Sequence, residues 1–176
     1  MGNVFFLCLG NPKIFELKNR KVIIRRRLGE GGFSFVELVY DPSTGREYAM
    51  KRMVCHERSE MEKAQREIDY YKMFNHPNIV KVVDDGLVPS KAQPGAQEVL
   101  CLFPVYKQGT LQHKIDELRQ GKEHFDEDEI VKLIRGVCQG LKAMHHNPVR
   151  GTDGWGVDFL MDFYCVLERF LVSSRY

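Results

Sequence analysis

The chain has 176 residues, 43% of them hydrophobic and 28% charged, with a formal net charge of +2. That length suits one domain with a real core, and a charge so close to zero names no strongly acidic or basic partner, nucleic acid included. Five cysteines, at 8, 55, 101, 138 and 165, are odd in number, widely spaced and without a C-x-x-C pair, which argues against a disulfide framework or zinc site and for a reducing compartment.

The chain opens with Met1-Gly2, the minimum for N-myristoylation once Met1 is removed. Phe6 stands where a Ser or Thr is usual, and Cys8 is close enough to be a second, palmitoylated site. An unmodified terminus is the plainer alternative. The apolar residues 4–9 have no basic residue before them and no cleavage pattern, so they do not read as a secretory signal. No uncharged run reaches the roughly eighteen residues of a membrane span.

Residues 14–28 (IFELKNRKVIIRRRL) predict a strand, a polar turn at 18–20 and a second strand. The basic run 18–27 within them reads first as a solvated strand face and second as a surface for anionic lipid. Glycines at 29, 31 and 32 break the pattern. Residues 33–40 resume it, Asp41-Pro42-Ser43-Thr44-Gly45 is a turn, and 46–54 is the next strand. Residues 57–75 place Met61, Ala64, Ile68, Tyr71 and Phe74 on one helical stripe. Two further strands are expected at 79–83 and 99–103, joined by a loop at 89–97. The second half is helical, with one helix over 110–119 and another opened by Asp126 and Glu129 in a capping-box pattern. In that helix Ile130, Leu133, Ile134, Val137, Cys138, Leu141 and Met144 share a face. Strands first and helices second predict an α+β fold.

The chemistry sits in the first half. Gly29-Glu30-Gly31-Gly32 lets a hairpin backbone approach a phosphate without Cβ clashes, and Leu28 and Val36 can enclose a base. Tyr48-Ala49-Met50-Lys51 is an apolar strand ending in a lysine, and a lysine aimed inward needs an anionic partner. Glu67, sixteen residues later on the helix, supplies a candidate. Each feature alone has a bland explanation. Their order, on elements of these types, matches the glycine loop, strand lysine and helix glutamate of protein kinases.

On these residues, and on LGEGGFSFVELV, YAMKRMVCHE, AQREIDYYKMFNHPNIV, LFPVYKQGTL and GVCQGLKAMH, the sequence resembles serine/threonine protein kinases of the Numb-associated family, and within it a lipid-anchored, Golgi-associated branch. The resemblance implies a kinase-like N-lobe, an antiparallel sheet with one helix, over residues 20–107. It implies the start of a helical C-lobe over 108–148, after an acylation segment and first strand at 1–19. It further implies Mg²⁺ and ATP as cofactors. Leu28, Gly29, Gly31 and Val36 would cover the nucleotide and Ala49 would pack on adenine. Lys51, held by Glu67, would meet two phosphates. Phe103 would be the gatekeeper, with Pro104, Val105 and Tyr106 as the hinge. Acylation at Gly2 and Cys8, and with it a membrane partner and a Golgi address within the cytoplasm, follows from the same likeness.

The likeness stops after Met144. A kinase needs H-R-D-L-K-x-x-N soon after, its Asp taking the substrate proton and its Asn holding magnesium; the sequence instead reads HHNPVRGTDGWG. Asp162, in LMDFY, is a weak candidate for the magnesium aspartate, because Tyr164 replaces the glycine of D-F-G. Residues 149–176 form a divergent, aromatic-rich tail. The expectation is therefore ATP binding without phosphoryl transfer, against a membrane-tethered binding module or an unstable product. No protein substrate is named by the sequence.

Overall fold

A computed structural model describes residues 13–31, 34–106 and 111–146. Gly2, Cys8, Gly32, Asp162 and the tail from 147 onward lie outside them. The described chain contains β1 (Ile14–Glu16), β2 (Lys21–Glu30), β3 (Ser34–Asp41), β4 (Arg46–Cys55), α1 (Arg58–Met73), β5 (Asp84–Pro89), β6 (Gln97–Pro104), α2 (Leu111–Gly121) and α3 (Glu127–His145). Strands precede most of the helix, and the arrangement is α+β, consistent with a partial kinase fold. Two compact units divide the chain: Met1–Ala64 with Val83–Phe103, and Gln65–Val82 with Pro104–Tyr176.

The first unit is built on one six-stranded sheet in the order β1-β2-β3-β4-β6-β5. Alternation decides its two faces, because successive strand side chains point to opposite sides. On one face Tyr48 and Met50 of β4 join Val39, Val22, Phe15, Leu17, Leu100 and Leu102 in a buried cluster. The other face takes Ala49, Lys51 and Met53 of the same strand. Residues 52, 37 and 98 fall on the core side although they are charged. There Arg52 Nη1 donates to both carboxylate oxygens of Glu37, at 3.0 and 2.9 Å, and Arg52 Nε donates to Glu98 at 3.0 Å. Ser90 Oγ donates to the remaining Glu98 oxygen at 2.8 Å, and the Phe15 ring lies 4.7 Å from the guanidinium. Three charges can be buried here because each is hydrogen-bonded as well as paired.

The turn between β3 and β4 is closed by Asp41, which is fully buried. It accepts from the Ser43 backbone at 2.9 Å, the Ser43 hydroxyl at 2.6 Å, the Thr44 hydroxyl at 2.9 Å and Arg20 at 2.9 Å. Burial alone would raise its pKa, but the bonds from Ser43, Arg20 and Thr44 outweigh it and hold the carboxyl well below the usual range. Gly45 ends the turn at φ +67°, where a side chain would be strained.

The strand expected at 79–83 is absent: β5 begins at Asp84. Consecutive aspartates read as a strand breaker, yet here both are taken. Asp84 accepts from the Asn19 backbone and side-chain amides, each at 3.0 Å, and Asp85 accepts from Lys18 Nζ at 2.6 Å. The Lys18 amide adds a bond to the Asp85 carbonyl at 2.9 Å. Residues 17–19 are thereby clasped to β5. Gly86 allows the approach, since a Cβ there would lie 3.0 Å from Leu17 Cα.

Helix α1 starts where Glu60 accepts from the His56 and Glu57 amides, at 2.7 and 3.3 Å. Among its stripe residues, Ala64, Ile68 and Tyr71 are buried while Met61 is half-buried. In the second unit α3 opens on the expected capping box, with Asp126 as N-cap and Glu129 reaching back to the cap amide. Its packed side is not the whole predicted face. Gly136 and Gly140 lie against Asn78, a Cβ at Gly140 would meet the Asn78 carbonyl at 3.2 Å, and Gln139 accepts from Asn78 at 3.0 Å. Met144 is buried, whereas Ile130, Ile134 and Cys138 are exposed. The close approach selects the glycine side of the helix, and this turns the aliphatic stripe outward.

Candidate functional site

Two bulges shape the part of β2 that leads into the glycine hairpin. The β2–β3 register runs Arg27↔Glu37 and then Gly29↔Val36, so Leu28 is the extra residue of the second irregularity. A bulge bends the strand and re-aims a side chain. At the tip, the Gly31 amide donates to the Ser34 carbonyl at 2.8 Å, and a Cβ on Gly31 would stand 3.2 Å from Ser34 Oγ. Glycine therefore keeps the turn tight.

The β3–β4 register places Val36 opposite Lys51 and Leu38 opposite Ala49. Together with Gly29↔Val36 this makes a cross-strand row, Gly29–Val36–Lys51, on the face away from the buried cluster. Ala49 belongs to the same face and is buried; Leu28, Val36 and Lys51 are half-buried. Phe103 is buried on β6, the neighbour of β4 in the sheet. Five of the predicted residues, Leu28, Gly29, Val36, Ala49 and Lys51, are thus gathered on three adjacent strands, with Gly31 just past the end of β2. Glu67 on α1, and Val105 and Tyr106 after β6, belong to the second unit. All three are half-buried, and burial pushes the Tyr106 phenol up.

This row has the chemistry of a nucleotide cradle. A glycine hairpin leaves its backbone accessible, Val36 and Ala49 offer a flat apolar surface without bulk, and Lys51 brings one ammonium to the end of the apolar row. Among the described residues no group of three or more His, Cys, Asp or Glu side chains could hold a metal ion, and Asp162 lies outside them. No described helix is long and apolar enough to cross a membrane.

Sequence reasoning found the row through its motif spacing. It missed the Arg52 centre on the opposite face. The only signal available was a charged residue at each of three core-parity positions, 37, 52 and 98.

A glycine hairpin over a strand lysine, on an antiparallel sheet followed by helices, defines a protein kinase lobe, and comparison agrees. The family profile described as "Protein kinase domain" matches residues 22–153, and the chain belongs to that family. The curated relatives it resembles include human serine/threonine-protein kinase 16, 39% identical over 145 residues that make up 82% of this chain and 46% of the relative. A probable serine/threonine-protein kinase of Dictyostelium discoideum is 38% identical over 155 residues, 84% of this chain and 42% of the relative. Serine/threonine-protein kinase ENV7 of Saccharomyces cerevisiae is 30% identical over 140 residues, 74% and 38% of the two chains. The chain spans less than half the length of these relatives.

Proposed function

We propose that this member of the serine/threonine protein kinase family binds ATP, with Mg²⁺, on the β2–β3–β4 face and does not itself transfer phosphate. The Gly29–Val36–Lys51 row, flanked by Ala49, is the observation that carries the reading. In it Leu28, Val36 and Ala49 exclude water from the base, and the hairpin amides and Lys51 meet the phosphates. Through the sequence likeness alone, Glu67 is the glutamate that partners the strand lysine, Phe103 the gatekeeper, and Val105 and Tyr106 the hinge. Bound Mg²⁺·ATP would supply a γ-phosphoryl group, but the residues that use it are not in this sequence. No His-Arg-Asp with a Lys and an Asn at kinase spacing follows Met144. Loss of base, positioning and charge neutralisation together costs many orders of magnitude in rate.

The test is thermal unfolding of the chain with and without Mg²⁺·ATP. A ligand at about a hundred times its Kd stabilises a fold by about 2.7 kcal/mol, so a clear rise in Tm is expected, lost in Lys51→Met. No rise in the parent chain overturns the nucleotide reading, and ATP-dependent phosphorylation of an added protein overturns the inactivity.

Assignment to the Numb-associated branch, and acylation at Gly2 and Cys8 with Golgi attachment, belong to the same proposal through the sequence likeness given above. Incorporation of a myristate analogue that Gly2→Ala abolishes is the check. A second reading is a non-catalytic binding module. The exposure of Ile130, Val131 and Ile134 on α3 favours it, at 43%, 50% and 57%, because isolated apolar exposure is ordinary but a contiguous stripe marks contact surface.

A further inference from the structure

The basic run that the nucleotide site leaves unused resolves into two sets of arginines on opposite faces of the sheet. Arg27 pairs in register with Glu37, on the core side; its guanidinium lies 2.8 Å from Glu30 and 4.3 Å from the Phe35 ring centroid. The bulge between Ile24 and Arg26 puts Arg25 and Arg26 elsewhere. Arg26 pairs with Leu38, and Arg25 stacks over Tyr40 at 4.7 Å. The cross-strand row Ile14–Ile23–Tyr40 lies on that same face, with Ile14 45% exposed.

We propose that this face of β1, β2 and β3 docks on an anionic phospholipid bilayer, through Arg25 and Arg26 as charge contacts and Ile14, Ile23 and Tyr40 as the apolar centre. Lys13, Arg25 and Arg26 are exposed, and none has a carboxylate within ion-pair distance among the described residues. The nearby carboxylates are Glu16, neutralised by Lys21 at 2.6 Å, and Glu47, opposite Tyr40. The local balance is therefore positive. Charge alone would serve a nucleic acid equally well. The aliphatic and tyrosine centre decides for lipid, because such side chains gain from the headgroup–acyl boundary while basic ones hold the lipid phosphates. Arg26 pairs with Leu38 and Leu38 with Ala49, so this is the same sheet face that carries the nucleotide row, at the end of β2 away from the glycine hairpin; the proposal needs neither bound nucleotide nor acylation.

The experiment is co-sedimentation of the unacylated recombinant chain with vesicles of phosphatidylcholine alone and of phosphatidylcholine with phosphatidylserine. Binding only to the anionic vesicles, weakening as salt rises, is expected. Arg25→Gln with Arg26→Gln weakens partitioning by about thirtyfold, from the gain each basic residue makes near an anionic surface. Arg25→Lys with Arg26→Lys keeps it, and the shared far-UV spectrum of the two pairs excludes misfolding. Arg27→Gln, on the other face, leaves it unchanged, while Ile14→Ser reduces binding without altering its salt dependence. Equal binding to both vesicle types, no loss in the glutamine pair, or an equal loss in Arg27→Gln overturns the proposal. So does displacement from the vesicles by polyuridylate with tighter binding to that polymer.

Discussion

Replacing Arg52 by methionine removes the only cation that touches both Glu37 and Glu98 among the described ion pairs. The two carboxylate residues are 4% and 2% exposed and Arg52 itself 9%, so water cannot take over from the guanidinium without opening the sheet. Three charge-assisted hydrogen bonds, at 3.0, 2.9 and 3.0 Å, disappear together. Stranding a buried charge by deleting its partner costs about 3–5 kcal/mol, a large part of the roughly 5–15 kcal/mol that holds a domain folded. The methionine refills most of the volume beside Phe15, so the loss is electrostatic and not a cavity. In urea titrations followed by far-UV circular dichroism, an m-value of roughly 2 kcal/mol/M converts this into a midpoint lower by about 2 M. Adding Glu37→Leu and Glu98→Leu to Arg52→Met should recover most of the stability, because an apolar set of similar volume replaces the buried ions at little net cost. A loss below about 1 kcal/mol in Arg52→Met, the level of an exposed pair, would refute the reasoning. So would a triple variant weaker than the single one.

Three further outcomes follow from the same geometry. Asp41→Asn should cost about 2 kcal/mol at neutral pH through its charge-assisted bonds. A carboxylate with a depressed folded pKa stabilises the fold above its unfolded value, about pH 4, and loses that contribution as pH falls toward the folded one. The Tm difference between Asp41→Asn and the parent should therefore shrink in acid; a gap that widens there would contradict the assignment. Gly86→Ala presses a methyl to 3.0 Å from Leu17 Cα and is expected to lower stability by about 1–3 kcal/mol by overpacking; an unchanged urea midpoint would show that residues 17–19 do not bear on β5. Asp126→Ala removes one half of the α3 capping box and should lower stability by about 1 kcal/mol, read as a reduced Tm.

Local chemistry was the legible part of this chain. The D-P-S-T-G turn, the Asp126–Glu129 box and the β4 alternation ending in Lys51 are written within a few residues of each other, and each lies where its pattern placed it. Motif spacing was equally legible, since the distances from Gly29 to Val36 to Lys51 fix a register once the two hairpins are recognised. Long-range pairing was not. Nothing near Asp84 announces that Asn19, 65 residues away, takes its carboxylate, and the apolar run at 79–83 marks a strand five residues ahead of the one that forms. The Arg52–Glu98 pair spans 46 residues and was invisible for the same reason. On α3 a period of 3.6 finds an aliphatic stripe, but the helix packs by its glycines, because a backbone–backbone approach needs the absence of side chains more than the presence of apolar ones.

The clasp between residues 17–19 and β5 also settles how tension would travel. Strand β1 is three residues long and would peel from β2 one bond at a time under a pull applied ahead of Lys13. Beyond it, the Lys18–Asp85 pair, the two Asn19–Asp84 bonds and the Lys18 backbone bond stand side by side. A load reaching them must break all of them at once. Traction on this end of the molecule is accordingly shared with β5 at the far edge of the sheet before it reaches the glycine hairpin, and the clasp acts as a strain relief for the nucleotide row.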